Sequence, residues 1–231
     1  MNPLRTLSPL FLAASIVTPL QAVTVLIDFS GTSSSGNWNR ISNAVNGSVA
    51  NAITSTGTAS GMTVDITARF SDINTQGTTS GTAPYPSFAT SDSFYGNALQ
   101  EWTGFAVTPK STVVFGNLIS GVAYSFTFYA SRTGAADNRT TRYTLTGNGP
   151  PSFEELNISN NVTNTVTVSN LFADATGRIT LDVSPGTGNN NPYGFYYLGV
   201  AEISYVPEPG AALLCVGGGS LALLRRRRTD T

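Results

Sequence analysis

Between residues 23 and 205, apolar and polar side chains alternate with period two again and again, and the spacing of an amphipathic helix does not recur. The run VTVLIDF at 23–29 opens the series. At 62–70, MTVDITARF puts Met62, Val64, Ile66, Ala68 and Phe70 on one side, because successive side chains of a strand point to opposite faces. A short strand is expected over 112–115. VAYSFTFY at 122–129 aligns Tyr124, Phe126 and Phe128. RYTLT follows at 142–146, then TVTV at 165–168 and RITLDV at 178–183. The closing run FYYLGVAEISY, 195–205, reads as one long strand rich in aromatic and β-branched residues, which suit a pleated, half-buried surface.

Stretches rich in Gly, Pro, Asn and Ser at 31–36, 75–81, 148–151 and 186–191 separate these runs and mark turns. Only 42–51 and 92–102 allow a helical turn. About eight or nine short strands with such turns predict an all-β fold, a single β-sandwich of jelly-roll type. Neither a linker nor an internal repeat interrupts it. Residues 23–205 are therefore expected to form one domain, long enough to bury a core without metal or disulfide support.

Composition narrows the chemistry. The 231 residues include no histidine and one cysteine, and charged residues make up 11%. Without imidazole there is no Ser-His-Asp or Cys-His machinery. A typical zinc site lacks its ligands, and Cys215 has no disulfide partner. Residues 23–205 carry seven basic against eleven acidic side chains, so a grip on nucleic acid is not expected. A mildly acidic surface of Ser, Thr and Asn suits a neutral, hydrated partner better than a polyanion. Asn46, Asn138, Asn157 and Asn161 head Asn-X-Ser/Thr triplets, which an Asn- and Thr-rich chain contains by chance.

The two ends read as addresses. Residues 1–22 have a basic start at Arg5, an apolar stretch over 7–17 and a small residue, Ala22, before the expected cut, as in a secretory signal peptide. At the other end stand Val206, Pro207, Glu208, Pro209 and Gly210, then an uncharged stretch at 211–224, then Arg225, Arg226, Arg227 and Arg228. As a helix the stretch covers about 21 Å, short of a bilayer core of about 30 Å. The four arginines act as a stop on the cytoplasmic side. A transient hold on the membrane suits such a segment better than a permanent one.

The order of Pro-Glu-Pro motif, short span and basic cluster over 206–231 resembles a PEP-CTERM sorting signal. The resemblance implies a Gram-negative envelope protein, held briefly in the inner membrane and cut by an exosortase after signal peptidase has acted. It also implies an association with exopolysaccharide and biofilm matrix. Residues 23–205 have a looser resemblance, carried by IDF at 27–29 with Trp38 and Asn39, by 122–132, by NRTTRY at 138–143, by GRITLD at 177–182 and by YLGVAEI at 197–203. The pattern looks like galactose-binding-like jelly-roll domains, and implies fold more firmly than ligand.

Candidate binding residues are read against plainer roles. Trp38 and Trp102 sit in polar, turn-rich surroundings, and Tyr85, Phe94, Tyr95 and Tyr193 fall on expected loops. Exposed aromatic faces stack on the C–H faces of sugar rings; the plainer role is to plug an end of the core. Tyr196 and Tyr197 are adjacent, so one of the two should face inward. Arg132, Arg139 and Arg142 cluster with Asp137 and Asn138, and guanidinium forks suit sugar hydroxyls or a carboxylate. The plainer reading has Arg132 and Arg142 paired with acidic neighbours, pinning a hairpin whose loop is 134–138. No cofactor is expected, although Asp28, Asp92 and Asp182 would suit a structural calcium ion.

Three function classes follow. The leading one is an exported, non-catalytic envelope or matrix protein whose sandwich associates with polysaccharide. The alternative is a self-associating structural surface or matrix subunit. The third, a glycoside hydrolase or polysaccharide lyase, needs a catalytic pair. Glu154 and Glu155 are adjacent and on a strand would face opposite ways.

Overall fold

The computed structural model describes residues 21–207. The expected signal helix lies outside the described residues except at its last two positions. Glu208, Pro209, the expected membrane segment and Arg225, Arg226, Arg227 and Arg228 also lie outside them. Among the described residues no helix is long and apolar enough to cross a membrane.

Strands are numbered in chain order. One sheet runs β11 (Val166–Phe172), β8 (Ala123–Tyr129), β14 (Val200–Tyr205), β1 (Val23–Phe29) and β2 (Asn39–Ile41). Its neighbours are antiparallel except β1 and β2. The second sheet runs β10 (Ser152–Asn157), β9 (Thr140–Thr146), β12 (Ile179–Pro185), β7 (Ser111–Gly116), β4 (Thr63–Ala68) and β3 (Ser48–Val49), antiparallel throughout. A small third sheet joins β13 (Phe195–Leu198), β6 (Ser93–Asn97) and β5 (Asp72–Asn74). One short helix, α1 (Ser87–Thr90), packs beside them.

The alternation in sequence becomes the core. Tyr124, Phe126 and Phe128 point inward from β8, and Ile179, Leu181 and Val183 from β12. The two large sheets meet through aromatic rings. Phe126 contacts Phe115 of β7 edge-to-face with centroids 4.9 Å apart, and Phe128 stacks on Tyr143 of β9 at 4.6 Å. This is the face-to-face burial that makes a two-sheet sandwich stable.

Three expectations are corrected. Residues 195–205 are two strands, not one: β13 belongs to the small sheet and β14 to the five-stranded sheet, with Gly199 between them. The 92–102 stretch contains no helical turn but β6, all five residues of which are buried. Gly96 there lies against Tyr196, and a Cβ would fall 2.1 Å from the ring's Cζ. The 134–138 segment does not close a hairpin, because β8 and β9 lie in different sheets. The chain crosses between the sheets there, held by Ser131 Oγ donating to Asn161 O at 2.6 Å and Asn161 Nδ2 donating to Ala130 O at 3.0 Å. In 42–51 a turn does form, closed by Gly47 N–H on Asn43 O at 3.0 Å.

Register fixes the polarity of the sandwich. Val23 pairs with Tyr205, so the chain enters β1 and leaves β14 at one end. Val200 pairs with Asp28 and with Tyr129, which marks the other end, where 130–139 and β13 lie.

Phe126→Ala is expected to lower unfolding free energy by about 3–5 kcal/mol, through lost burial and a residual cavity. Phe153→Ala, at a site 51% exposed on edge strand β10, should cost less than about 1 kcal/mol. Urea unfolding of both variants checks the pair.

Candidate functional site

At the end remote from Val23 and Tyr205 the surface opens into a cleft of about 320 Å³. Its floor comes from β13 and the residues before it. Tyr193, Phe195 and Tyr197 alternate with period two and share one face; all three line the cleft. Tyr95 of β6 lies opposite Tyr197 in register and lines it too. Tyr193 and Phe195 stack at 5.4 Å, and Tyr95 meets Phe195 edge-on at 5.6 Å.

Trp102 forms one wall. It sits at the foot of a tight turn: Trp102 N–H donates to Phe105 O at 3.2 Å and Phe105 N–H to Trp102 O at 2.8 Å. Thr103 (φ 45°) and Gly104 (φ 86°) take the two left-handed positions that a two-residue turn of this kind requires. Asn97 Nδ2 anchors the loop by donating to Gln100 O at 2.7 Å and Phe105 O at 3.2 Å. The indole packs edge-on against Tyr193 at 4.6 Å and Phe195 at 5.4 Å. It remains 36% exposed. Trp102 is thus a wall with one free side.

Two guanidinium groups complete the lining. Arg139 Nε donates to Asp137 Oδ1 at 2.8 Å, and Nη1 donates to the Tyr197 hydroxyl at 2.6 Å. Its carbon sits 5.2 Å from the Phe195 ring centroid. Asn191 Nδ2 donates to the other oxygen of Asp137. Burial alone would raise Asp137; hydrogen bonds from Arg139 and Asn191 outweigh it and hold the carboxyl below its usual range. Burial raises the Tyr197 phenol, and the charges of Arg139 and Arg132 partly offset that. Tyr95 is pushed up to about 12, by burial first and the nearby Asp72 charge second. All three groups keep one charge state at neutral pH.

The structure therefore brings together Trp102, Tyr95, Arg132 and Arg139 from the sequence-based candidates. Trp38 is elsewhere. It packs edge-on against Tyr85 at 5.8 Å and Phe88 at 5.6 Å, in a small cluster with Ala89, Tyr129 and Val200. Tyr95 and Phe94 are on a buried strand rather than a loop. Tyr196 and Tyr197 are both buried, because β13 is covered on both sides. Tyr196 donates to Thr108 O at 2.9 Å on the side away from the cleft. Arg142 takes its plainer role, paired with Glu155 at 2.7 Å, whereas Arg132 has no acidic partner among the described residues. Sequence reasoning missed Asn191, Asn97 and Phe195. The period-two aromatics at 193, 195 and 197 were a usable signal for the last; nothing local marks the two asparagines.

The three aspartates considered for calcium do not converge. Asp182 is on β12, bound by Lys110 Nζ at 2.6 Å and by Thr112 Oγ1 at 2.7 Å. Among the described residues no group of three or more His, Cys, Asp and Glu side chains is placed to hold a metal ion. Asp28 and Asp92 are buried near one another. Asp92 Oδ2 accepts from Gly31 N–H at 2.9 Å, Thr32 N–H at 3.0 Å and the Thr32 hydroxyl at 3.0 Å. Asp28 Oδ2 accepts from the Ser34 hydroxyl at 2.7 Å, while Oδ1 of each has no partner among the described residues. Burial, with the Asp92 charge adding to it, pushes Asp28 up to about 7.

Because the folded-state value lies above the unfolded 3.8, this group's contribution to stability is complete below that pH and is lost as pH rises through about 7. The expected urea midpoint is therefore higher near pH 5 than near pH 8, by a difference on the order of a few kcal/mol at most. Asp28→Asn should flatten that dependence. An unchanged slope in the variant would assign it to other groups.

No protein-family model matches the chain, and no curated protein matches it. Among solved structures it is similar to the plant receptor-like kinase ANX2, at 11% identity and a TM-score of 0.44, covering 80% of this chain and 48% of that one. The ANXUR1 extracellular domain from Arabidopsis thaliana gives 10% identity and a TM-score of 0.40, with 62% and 40% covered. TmCBM61 in complex with β-1,4-galactotriose gives 11% identity and a TM-score of 0.28, with 64% and 85% covered. The chain thus spans less than half the length of the receptor-kinase structures it matches.

Proposed function

We propose that residues 23–205 form a non-catalytic, jelly-roll-type carbohydrate-binding domain whose ligand lies in the cleft between Trp102 and Arg132. The observation that carries this reading is the partly exposed indole of Trp102, stiffened by its turn and by Tyr193 and Phe195, beside guanidinium donors. An apolar wall for the C–H face of a ring, with polar groups placed to take hydroxyls, is what a sugar site needs. The lining contains Asn74, Thr75, Gln76 and Asn191 as further polar groups, and no carboxylate. Glycoside hydrolysis uses two carboxylates about 5–10 Å apart, which disfavours a catalytic role for this cleft.

The chain ends suggest the setting. In our reading the protein is exported through its leader, held in the inner membrane by the 206–231 tail, cut by an exosortase, and delivered to the surface or matrix of a Gram-negative-type cell. Val206 and Pro207 follow β14 at the end of the sandwich opposite the cleft. A tethered domain then presents its cleft outward. The self-associating alternative draws on edge strand β10, where Phe153 is exposed. Arg142 covers that ring at 4.3 Å and Glu154 adds charge, both of which blunt an edge against pairing.

A glycan-array screen of the purified chain, followed by titration of its hits, tests the reading. Trp102→Ala should weaken binding by about thirtyfold or more, as a stacking anchor does, with little loss of stability. Trp38→Ala should do the reverse, lowering stability and leaving affinity unchanged. Equal effects of the two on affinity would remove the cleft from the account.

A further inference from the structure

The two cleft arginines are not equivalent. Arg139 is neutralised by Asp137, hydrogen-bonded to Tyr197 and laid over Phe195. Arg132 has none of this. Its backbone is pinned at the crossing, with N–H donating to Ile158 O at 3.0 Å and its carbonyl accepting from Asn160 N–H at 2.9 Å. Its side chain makes one hydrogen bond, from Nη1 to Thr133 O at 2.5 Å. Among the described residues no carboxylate lies within ion-pair distance of it, and its Nε and Nη2 have no hydrogen-bond partner. Yet the residue is only partly exposed and lines the cleft.

We propose that Arg132 is the receptor for a carboxylate, and that the cleft selects a uronic-acid unit rather than a neutral sugar. This rests on the carbohydrate reading above. A guanidinium with two adjacent N–H groups unspent matches a planar carboxylate through paired, charge-assisted hydrogen bonds. The two anions nearest the cleft do not serve in its place. Asp137 is saturated by Arg139 and Asn191, and Asp72 is an exposed residue on the Tyr95 side of the small sheet. Cleft and ligand then divide the work: Trp102 takes the ring, Arg132 its carboxylate.

The acidic excess of the domain refines the ligand. Seven basic against eleven acidic side chains in residues 23–205 repel a dense polyanion at long range. Salt screens that repulsion beyond about 8 Å, while a contact pair in the cleft survives. A polysaccharide in which single uronates stand among neutral sugars fits both facts. A fully charged polyuronate offers the carboxylate but meets the repulsion of the acidic surface.

The test is calorimetric titration of the full chain with neutral oligosaccharides carrying one glucuronate or one galacturonate, each against its own methyl ester. The ester keeps the ring and removes the charge. The acid is expected to bind about tenfold or more tightly than the ester. Arg132→Gln should abolish that ratio, with the larger loss falling on the acid, and Arg132→Lys should restore part of it. Equal affinity for acid and ester in the parent chain, with binding still lost in Trp102→Ala, would overturn the proposal and leave the carbohydrate reading intact. No binding of acid, ester or unsubstituted neutral oligosaccharide to a cooperatively melting sample would sink both. If Arg132→Gln loses its cooperative melt, the parent chain's acid-to-ester ratio and the Lys variant decide the matter.

Discussion

One backbone junction organises the molecule. Gly199 N–H donates to Tyr129 O at 3.1 Å, and Phe29 N–H donates to Gly199 O at 2.8 Å. A Cβ at this position would stand 3.1 Å from the Tyr129 carbonyl oxygen, tighter than a side chain sits comfortably. Glycine lets the backbones close up here, where the last strand run leaves the small sheet and enters the five-stranded one. Before the junction, β13 pairs with β6 and turns Phe195 and Tyr197 toward the cleft, with Tyr193 just ahead of the strand. After it, β14 pairs with β8 and β1 and closes the sandwich. Core and cleft are two uses of one run of sequence.

Rigidity reaches the cleft through buried amide side chains. Asn97 holds the Trp102 loop, and Asn191 holds Asp137, which orients Arg139. Asn97 is fully buried and Asn191 is 5% exposed, so each makes hydrogen bonds out of water, where losing one is costly. A site built this way is shaped before any ligand arrives, which reduces the ordering cost of binding. Of the two guanidinium groups that line the cleft, one is cancelled internally by Asp137, and the other has no acidic partner among the described residues.

Much of the fold was legible in the sequence because its strands bury one face. The faces predicted for 62–70 and 122–129 are buried at Met62, Val64, Ile66, Phe70, Tyr124, Phe126 and Phe128, and only Ala68, at a register shift in β4, is half-buried. The errors have physical causes. β6 is covered on both sides, so its residues do not alternate and offer no period to read. β2, β3 and β5 are two or three residues long, too short for a pattern. The crossing at 130–139 looked like a hairpin because sequence shows the turn and not the sheet to which each arm belongs. Candidate residues were legible by type. Trp102, Tyr95, Arg132 and Arg139, each a candidate by residue type, line one cleft, whereas Trp38 shares their chemistry and not their place. What selects among them is long-range: Trp102 meets Tyr193 and Phe195 across nearly a hundred residues of chain, and no local signal encodes that.

The central claim is that the Trp102 cleft is where the domain meets carbohydrate. The chain has two tryptophans, hence two indole N–H signals, one in the cleft and one beside Tyr85 and Phe88. The direct measurement is the pair of indole resonances in an ¹H–¹⁵N spectrum, recorded while an oligosaccharide that binds is titrated to saturation. The account predicts that the Trp102 signal shifts saturably and the Trp38 signal stays in place. Movement of Trp38 alone, or of neither while binding is measured by heat, would contradict it.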